Sequence, residues 1–506
     1  MRAGDRRIRR LAFRRRLLLA GWLSAGLVVL VRAARLQVVD GAEWRRVAAE
    51  QHRASTPIPA PRGAILDRNG VPLAVSRERW RVSVAPRELR DAAGARKLLR
   101  DVLGLSRSTA ERVTSPDDPW NPLPGSWAPE IREVLAGVPG IYLQRELQRF
   151  YPRGELARGV LGRLLDGRGS GGVEAAYESV LRGTPGRQVV ARTSEGREIP
   201  GEVFEVQQSI SGGVVQLTLD VDLQEIAREA LADAVGRSEA QGGDLLVTDP
   251  RTGEILAMAS LQDGSNRTLT AVTNSYEPGS TLKPFTVAAL LETGTGALTD
   301  SVDTGVGYWR VGRRDLYDVG AHGVISLADA LRVSSNIGIA KAALALSPRQ
   351  QYENLRDFGF GTPTGLGLSG EVSGELPSPA QWTGPSPVSL AIGYEIGVTP
   401  LQMTMAYGAL ANGGTLMEPR LVREVRGPTG TVLERLVPRA VRRVVPSDIA
   451  RAIGEVLVEV VEDGTGTAAR MTSFAVAGKS GTARAYEPGR GYVADRYNAS
   501  FVGYFP

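Results

Sequence analysis

The 506-residue sequence contains no cysteine. That excludes a disulfide framework, a thiol nucleophile and any thiolate metal site. It does not choose a compartment, although a cysteine-free chain survives export without pairing errors. Histidine is nearly absent, with only His52 and His322. A serine–histidine–aspartate triad requires one. His52 follows an apolar segment near the N-terminus, and His322, in DVGAHGVISL ahead of a helical stretch, reads as structural. No H-E-x-x-H or similar cluster occurs, so neither a metal mechanism nor a cofactor is expected. Lysine is also scarce. Of 61 basic residues, four are lysine (Lys97, Lys283, Lys341, Lys479) and the rest arginine. A lysine that persists against such a bias marks a place where arginine cannot serve. A guanidinium stays protonated, whereas a buried amine can give up its proton. Lys97 reads as chance survival. Fixed-period repeats and low-complexity tracts are missing too.

The chain is too long for one ordinary domain, and two or three are expected. Its 42% hydrophobic and 23% charged content is globular. The net charge of +6 is uneven, because eight arginines fall among the first sixteen residues. The remainder is near neutral, so the basic balance does not point to nucleic acid. An uncharged apolar run of fifteen residues, Leu17 to Val31, follows. A span needs roughly 20 residues. Arg16 and Arg32 can snorkel outward, and the following AARLQVV adds apolar length. Without a clear A-x-A site, the expectation is an uncleaved signal-anchor over 17–38. Residues 1–16 then form a basic cytoplasmic tail, and the chain beyond about residue 38 lies on the far side of a membrane that it crosses once.

A proline-rich linker, STPIPAP (55–61), leads into RGAILDRNGVPLAVS, where Asp67 to Gly70 reads as a hairpin turn. Residues 80–190 mix short strands and helices. Val214 to Val235 passes from a period-two strand to a 3.6-period helix. LLVTDPRTGEILAMAS (245–260) reads as a hairpin turning at Pro250 to Gly253. A first exported module over 50–210 and a second over 215–506 are expected.

Three short motifs carry chemistry. In Glu277-Pro278-Gly279-Ser280-Thr281-Leu282-Lys283, proline and glycine break the chain before a helix, and Ser280 and Lys283 share one face. A serine hydroxyl becomes a nucleophile when a neighbouring base takes its proton, and a lysine held neutral can do so. The helix N-terminus also offers free N–H groups to an oxyanion. Ser334-Ser335-Asn336 sits in a helical-looking stretch and reads alone as a cap or turn. Lys479-Ser480-Gly481-Thr482 lies on an expected strand. Gly481 there marks close backbone approach by a ligand, and the lysine with two hydroxyls suits a carboxylate. Each motif is weak alone. In chain order they make the set S-x-x-K, S-x-N, K-S-G, with two of the four lysines in the two lysine slots.

With these motifs the chain resembles the class B penicillin-binding proteins, the monofunctional transpeptidases. RGAILDRNGVPLA, RFYPRGELARGVLG, GGVEAAYESVLRGTPG and GYEIGVTPLQMTMAYGALANGG carry the resemblance further. NRTLTAVTNSYEPGSTLKPF and DFGFGTPTGLGLSGEVSGELP look like the division-specific septal type rather than the elongation type. The resemblance implies an α+β fold: an elongated pedestal (dimerisation-type) domain, then a transpeptidase domain whose mostly antiparallel sheet is flanked by helices. It implies that Ser280 attacks the D-Ala-D-Ala carbonyl of a peptidoglycan stem peptide, with Lys283 as base. Ser334, helped by Lys479, would pass a proton to the leaving amine. Asn336 would hold the acyl peptide, and Ser480, Gly481 and Thr482 would bind its carboxylate end, with the N–H groups of Ser280 and Thr482 as oxyanion hole. β-Lactams would acylate the same serine. A membrane glycosyltransferase and other division proteins would be partners.

The chain departs from the family in two places. It stops at NASFVGYFP, where the family continues with another strand and a helix, so the resemblance implies a fragment of a longer protein. Glu395 stands where glycine is usual. Three other readings of the motifs are open. A β-lactamase or carboxypeptidase needs an activated deacylating water, for which no glutamate motif is evident. A β-lactam sensor would carry several spans. A non-catalytic scaffold would follow from a natural truncation.

Overall fold

The computed structural model describes residues 4–44, 53–192, 198–312, 314–487 and 491–505; Arg2 and His52 lie outside them. Helix α1 (Gly4–Ala34) runs on as a π-helical turn, Arg35–Val39. Its stretch Phe13–Val39, 27 residues, is long and apolar enough to cross a membrane, and none of its most apolar window is buried against protein. At 1.5 Å per residue that is about 40 Å, more than the roughly 30 Å hydrocarbon core. The helix continues through Arg32 and Arg35, so the uncharged run does not set its length.

The chain divides into two units, Met1–Ala60 with Thr184–Ile210, and Pro61–Gly183 with Ser211–Pro506. Residues 50–210 therefore contribute to both. In the first unit, strands Arg53–Ile58, Gly186–Arg192 and Glu198–Gln207 form an antiparallel sheet.

The second unit opens on a seven-stranded sheet. Its order is Val432–Arg435, Val422–Arg426, Val214–Leu217, Ile65–Leu66, Pro72–Val84, Asn121–Pro122, with Ile141–Phe150 also paired to Pro72–Val84. The asparagine-glycine turn forms as expected. Asp67 Oδ1 accepts from the N–H groups of Asn69 (2.8 Å) and Val71 (2.7 Å), and Gly70 takes φ +86°. Glu174 is fully buried between two guanidinium groups, Arg62 Nε at 2.6 Å and Arg149 Nε at 2.7 Å.

The rest of this unit frames the three motifs. Strands β1 (Gly242–Thr248) and β2 (Ile255–Gln262) form the expected hairpin. Helix α2 (Lys283–Glu292) follows, then hairpin β3 (Tyr308–Val311) and β4 (Arg314–Tyr317). Helices α3 (Leu327–Arg332), α4 (Asn336–Ala343), α5 (Pro400–Ala411) and α6 (Ser447–Asp463) come next. Strands β5 (Ala477–Glu487) and β6 (Gly491–Tyr504) close the order as an antiparallel pair. Helix α2 is apolar all round and buries Lys283 through Leu290, as a central core helix should. Helix α6 is amphipathic and buries Ala450, Ile453, Val456, Leu457, Val460 and Val461 along one stripe. It packs on both α2 and β5, and α5 packs on both β1 and β6.

Removing one partner from a buried ion pair leaves an uncompensated charge, at a cost of about 3–5 kcal/mol. Glu174→Ala should lower the unfolding free energy by about that amount, read as a drop in the urea midpoint of the second unit's transition.

Candidate active site

Ser280 lies on a single 3₁₀ turn, Gly279–Leu282, that runs directly into α2 at Lys283. With three residues per turn, positions i and i+3 eclipse, which places Ser280 and Lys283 on one side. Gly279 takes φ +55°, which the preceding proline-glycine break supplies without strain. The turn is pinned on several sides. Gly279 N–H donates to Gly393 O (3.0 Å), and Tyr407 OH donates to Thr281 O (2.8 Å). Tyr407 in turn packs edge-on against Phe285, which also contacts Phe358 and Phe360. On the strand side Gly481 is obligatory. A Cβ there would lie 2.8 Å from Pro278 O and 2.9 Å from Thr281 Cγ2. The glycine of K-S-G is thus explained by the approach of the strand to the Ser280 turn. Thr482 O would be 3.1 Å from a Cβ on Gly279, so the fourth residue of that motif borders the same turn.

The Ser334-Ser335-Asn336 segment breaks the helical stretch into α3 and α4. Ser334 takes φ +61°, a left-handed conformation costing a non-glycine residue roughly 1–2 kcal/mol. Ser335 is the N-cap of α4, its Oγ accepting from Gly338 N–H (2.8 Å). The cap reading holds for Ser335, while its two neighbours face the lysines.

Lys283 Nζ donates to Ser334 O (2.6 Å), Asn336 Oδ1 (2.8 Å) and Ser334 Oγ (3.3 Å). Lys479 Nζ donates to the same Ser334 Oγ (2.9 Å), and also to Thr465 Oγ1 (3.3 Å) and Ser480 O (3.2 Å). One hydroxyl therefore joins two lysines, both with no exposed surface. Burial pushes the Lys283 amine well below the ordinary lysine range, and the charge of Lys479 pushes it further down; the Asp318 carboxylate works against both. Burial brings Lys479 down to about 8. Both amines are thus shifted toward release of their protons, Lys283 by burial and a neighbouring cation, Lys479 by burial. Among the described residues Ser280 Oγ has no hydrogen-bond partner. Catalytic hydrogen bonds are commonly loose before substrate arrives.

The structure thus gathers Ser280, Lys283, Ser334, Asn336, Lys479, Ser480, Gly481 and Thr482 around one turn, and adds residues that sequence reading passed over. Thr465, in the loop after α6, accepts from Lys479 and from Ser480 Oγ (3.2 Å to Thr465 O). Asp318, just after β4, accepts from Ser335 Oγ (2.5 Å) and from Asn336 N–H (2.6 Å). Short polar residues in loops give no periodic signal, so neither stood out. Glu395 gains an account. Its φ of +60° is why glycine suits the position, and its carboxylate is held by Arg314 Nη1 (3.2 Å) and Ser386 Oγ (2.6 Å). Its own N–H donates to Glu277 Oε1 (2.8 Å), three residues before Ser280.

Residues 243–506 match the family described as "Penicillin binding protein transpeptidase domain", and residues 57–217 match "Penicillin-binding Protein dimerisation domain". A probable peptidoglycan D,D-transpeptidase, PbpC, of Pseudomonas aeruginosa is 34% identical, over 96% of this chain and 86% of its own. The peptidoglycan D,D-transpeptidase FtsI of Escherichia coli is 30% identical, over 97% and 84%. The crystal structure of penicillin-binding protein 3 of Mycobacterium tuberculosis, complexed with aztreonam, superposes with a TM-score of 0.68 at 28% identity, covering 89% of this chain and 88% of that one. The chain belongs to the class B penicillin-binding proteins, peptidoglycan D,D-transpeptidases that join a dimerisation domain to a transpeptidase domain.

Proposed function

We propose that this chain crosslinks stem peptides at the division septum through an acyl-enzyme on Ser280. The observation that carries the reading is the shared hydroxyl, Ser334 Oγ, held at 2.9 Å by Lys479 and at 3.3 Å by Lys283, which lies one helical turn after Ser280. Neutral Lys283 takes the Ser280 proton as Oγ attacks the carbonyl carbon of the penultimate D-alanine. The proton passes through Ser334 Oγ to the leaving nitrogen as the C–N bond breaks and the terminal D-alanine departs. Cationic Lys479 stabilises the charge on that path and, with Ser480 and Thr482, receives the substrate carboxylate. The N–H groups of Ser280 and Thr482 meet the oxyanion. Asn336, whose Oδ1 faces Lys283, holds the acyl peptide through its amide. The amine of a neighbouring stem peptide then attacks the ester and frees Ser280. A β-lactam stops at the ester.

We further propose that the arginine-rich residues 1–16 face the cytoplasm and the catalytic unit lies outside, by the positive-inside rule. A membrane glycosyltransferase and other division proteins are the partners this placement suits.

The test is gel labelling with a fluorescent penicillin. The wild type should label and Ser280→Ala should not. Lys283→Arg should label at least a hundredfold more slowly, because a guanidinium cannot accept the serine proton. Labelling of Ser280→Ala at the wild-type rate would overturn the assignment.

The acylation rate should also be bell-shaped in pH. It should rise as Lys283 loses its proton, at a pH well below 10.5, and fall as Lys479 loses its own near 8. In Lys479→Arg the fall near 8 should vanish, since guanidinium stays charged. Stopped-flow acylation at a series of pH values on both sides of 8 reads both limbs.

A further inference from the structure

Hairpin β3–β4 lies outside the three motifs, yet it ends inside the site. Tyr317 O, its last strand carbonyl, accepts from Asn336 Nδ2 at 2.8 Å. Asp318 follows. Its Oδ1 accepts from the N–H groups of Asn336 (2.6 Å) and Ile337 (3.1 Å), and its Oδ2 from Ser335 Oγ (2.5 Å). Four hydrogen bonds from two consecutive residues therefore grip the segment 335–337. They settle which way the Asn336 amide points. Nδ2 is taken by Tyr317 O, so Oδ1 turns to Lys283 Nζ at 2.8 Å. They adjoin Ser334, which in its left-handed conformation directs both its carbonyl oxygen and its Oγ at Lys283. The far end of the hairpin is anchored as well. Arg314 donates to Ser389 Oγ and to Glu395 Oε1, and Glu395 N–H reaches Glu277 beside the Ser280 turn. The hairpin thus links both walls around Ser280.

We propose that Asp318 is a positioning residue of the acylation step, which fixes the Ser334–Asn336 turn against Lys283. The inference rests on the assignment of Lys283 as base. Two observations support it beyond geometry. A carboxylate that accepts two backbone N–H groups and a hydroxyl at a helix start is strongly held. Its negative charge also opposes the loss of charge on Lys283, with Lys479 the other charged group acting on that amine. Asp318 never touches the reacting atoms and acts through Asn336, Ser335 and the field at Lys283.

The test uses the full chain in detergent, with a chromogenic penicillin as probe, separating its dissociation constant from the acylation rate constant. Asp318→Ala loses all three accepted bonds. Its acylation rate constant should fall about ten- to a hundredfold, while the dissociation constant changes less than about threefold. Asp318→Asn keeps an oxygen for the two N–H groups and so preserves the fold, but removes the charge. An anion near Lys283 favours its protonated form, so its loss makes Lys283 release its proton at lower pH. The acid limb of the acylation profile should move to lower pH in Asp318→Asn. A purely structural residue would change the height of the profile and leave the limb in place. An unmoved limb in Asp318→Asn, or an Asp318→Ala variant that acylates at the wild-type rate, overturns the proposal. Failure of the Lys283 assignment is distinguishable, because it would show in the wild type itself as a profile without an acid limb.

Discussion

The site depends on two buried amines bonded to one serine hydroxyl. Lys283 and Lys479 lie within 3.3 and 2.9 Å of Ser334 Oγ, so their nitrogens are no more than about 6 Å apart. At an effective dielectric of about 20, two positive charges at that distance repel by about 3 kcal/mol, on top of the desolvation each one bears. The arrangement tolerates one proton less than two separate lysines would hold. In the proposed mechanism that shortfall is what supplies Ser280 with a base without histidine. It also explains why these two positions keep lysine in a chain that otherwise uses arginine. Guanidinium would retain its charge, and the shared hydroxyl would then stand between two permanent cations.

The fold works to keep this pair in place. A core helix that is apolar on every side carries Lys283 at its first turn, so the amine is dry because the helix is central. The nucleophile turn is clamped between Gly393 on one side and Gly481 on the other, where added Cβ atoms would strike backbone or neighbouring side chains. Ser334 pays for its left-handed backbone with bonds its neighbours make to Asp318 and Tyr317. Strain at a reactive position, compensated by hydrogen bonds next door, is a common way to preorganise a site.

Much of this was legible in the amino-acid order. The membrane helix, the asparagine-glycine turn, the 245–260 hairpin and the change from strand to helix after Val214 all follow from periodicity and turn chemistry. The residues of three motifs, with two of the four lysines in their slots, come together in the fold. The legibility ended where contacts are made between loops far apart in sequence. Asp318 and Thr465 meet the motif residues through chain folding over 18 and 14 positions, and no spacing rule marks them. The purpose of Gly481 was read as room for a ligand. The structure gives a nearer reason, contact with the Ser280 turn. Glu395 was opaque because both its cause, a left-handed backbone, and its compensation, Arg314, lie outside local sequence.

The four lysines make a direct test possible. With lysine labelled at Cε and Nζ, an NMR titration of the full chain has four side chains to follow. Lys479 should titrate near 8 and Lys283 well below the ordinary value. Lys283 and Lys479 both titrating near 10.5 would contradict the account, because Lys283 would then be a cation at neutral pH and could take no proton from Ser280.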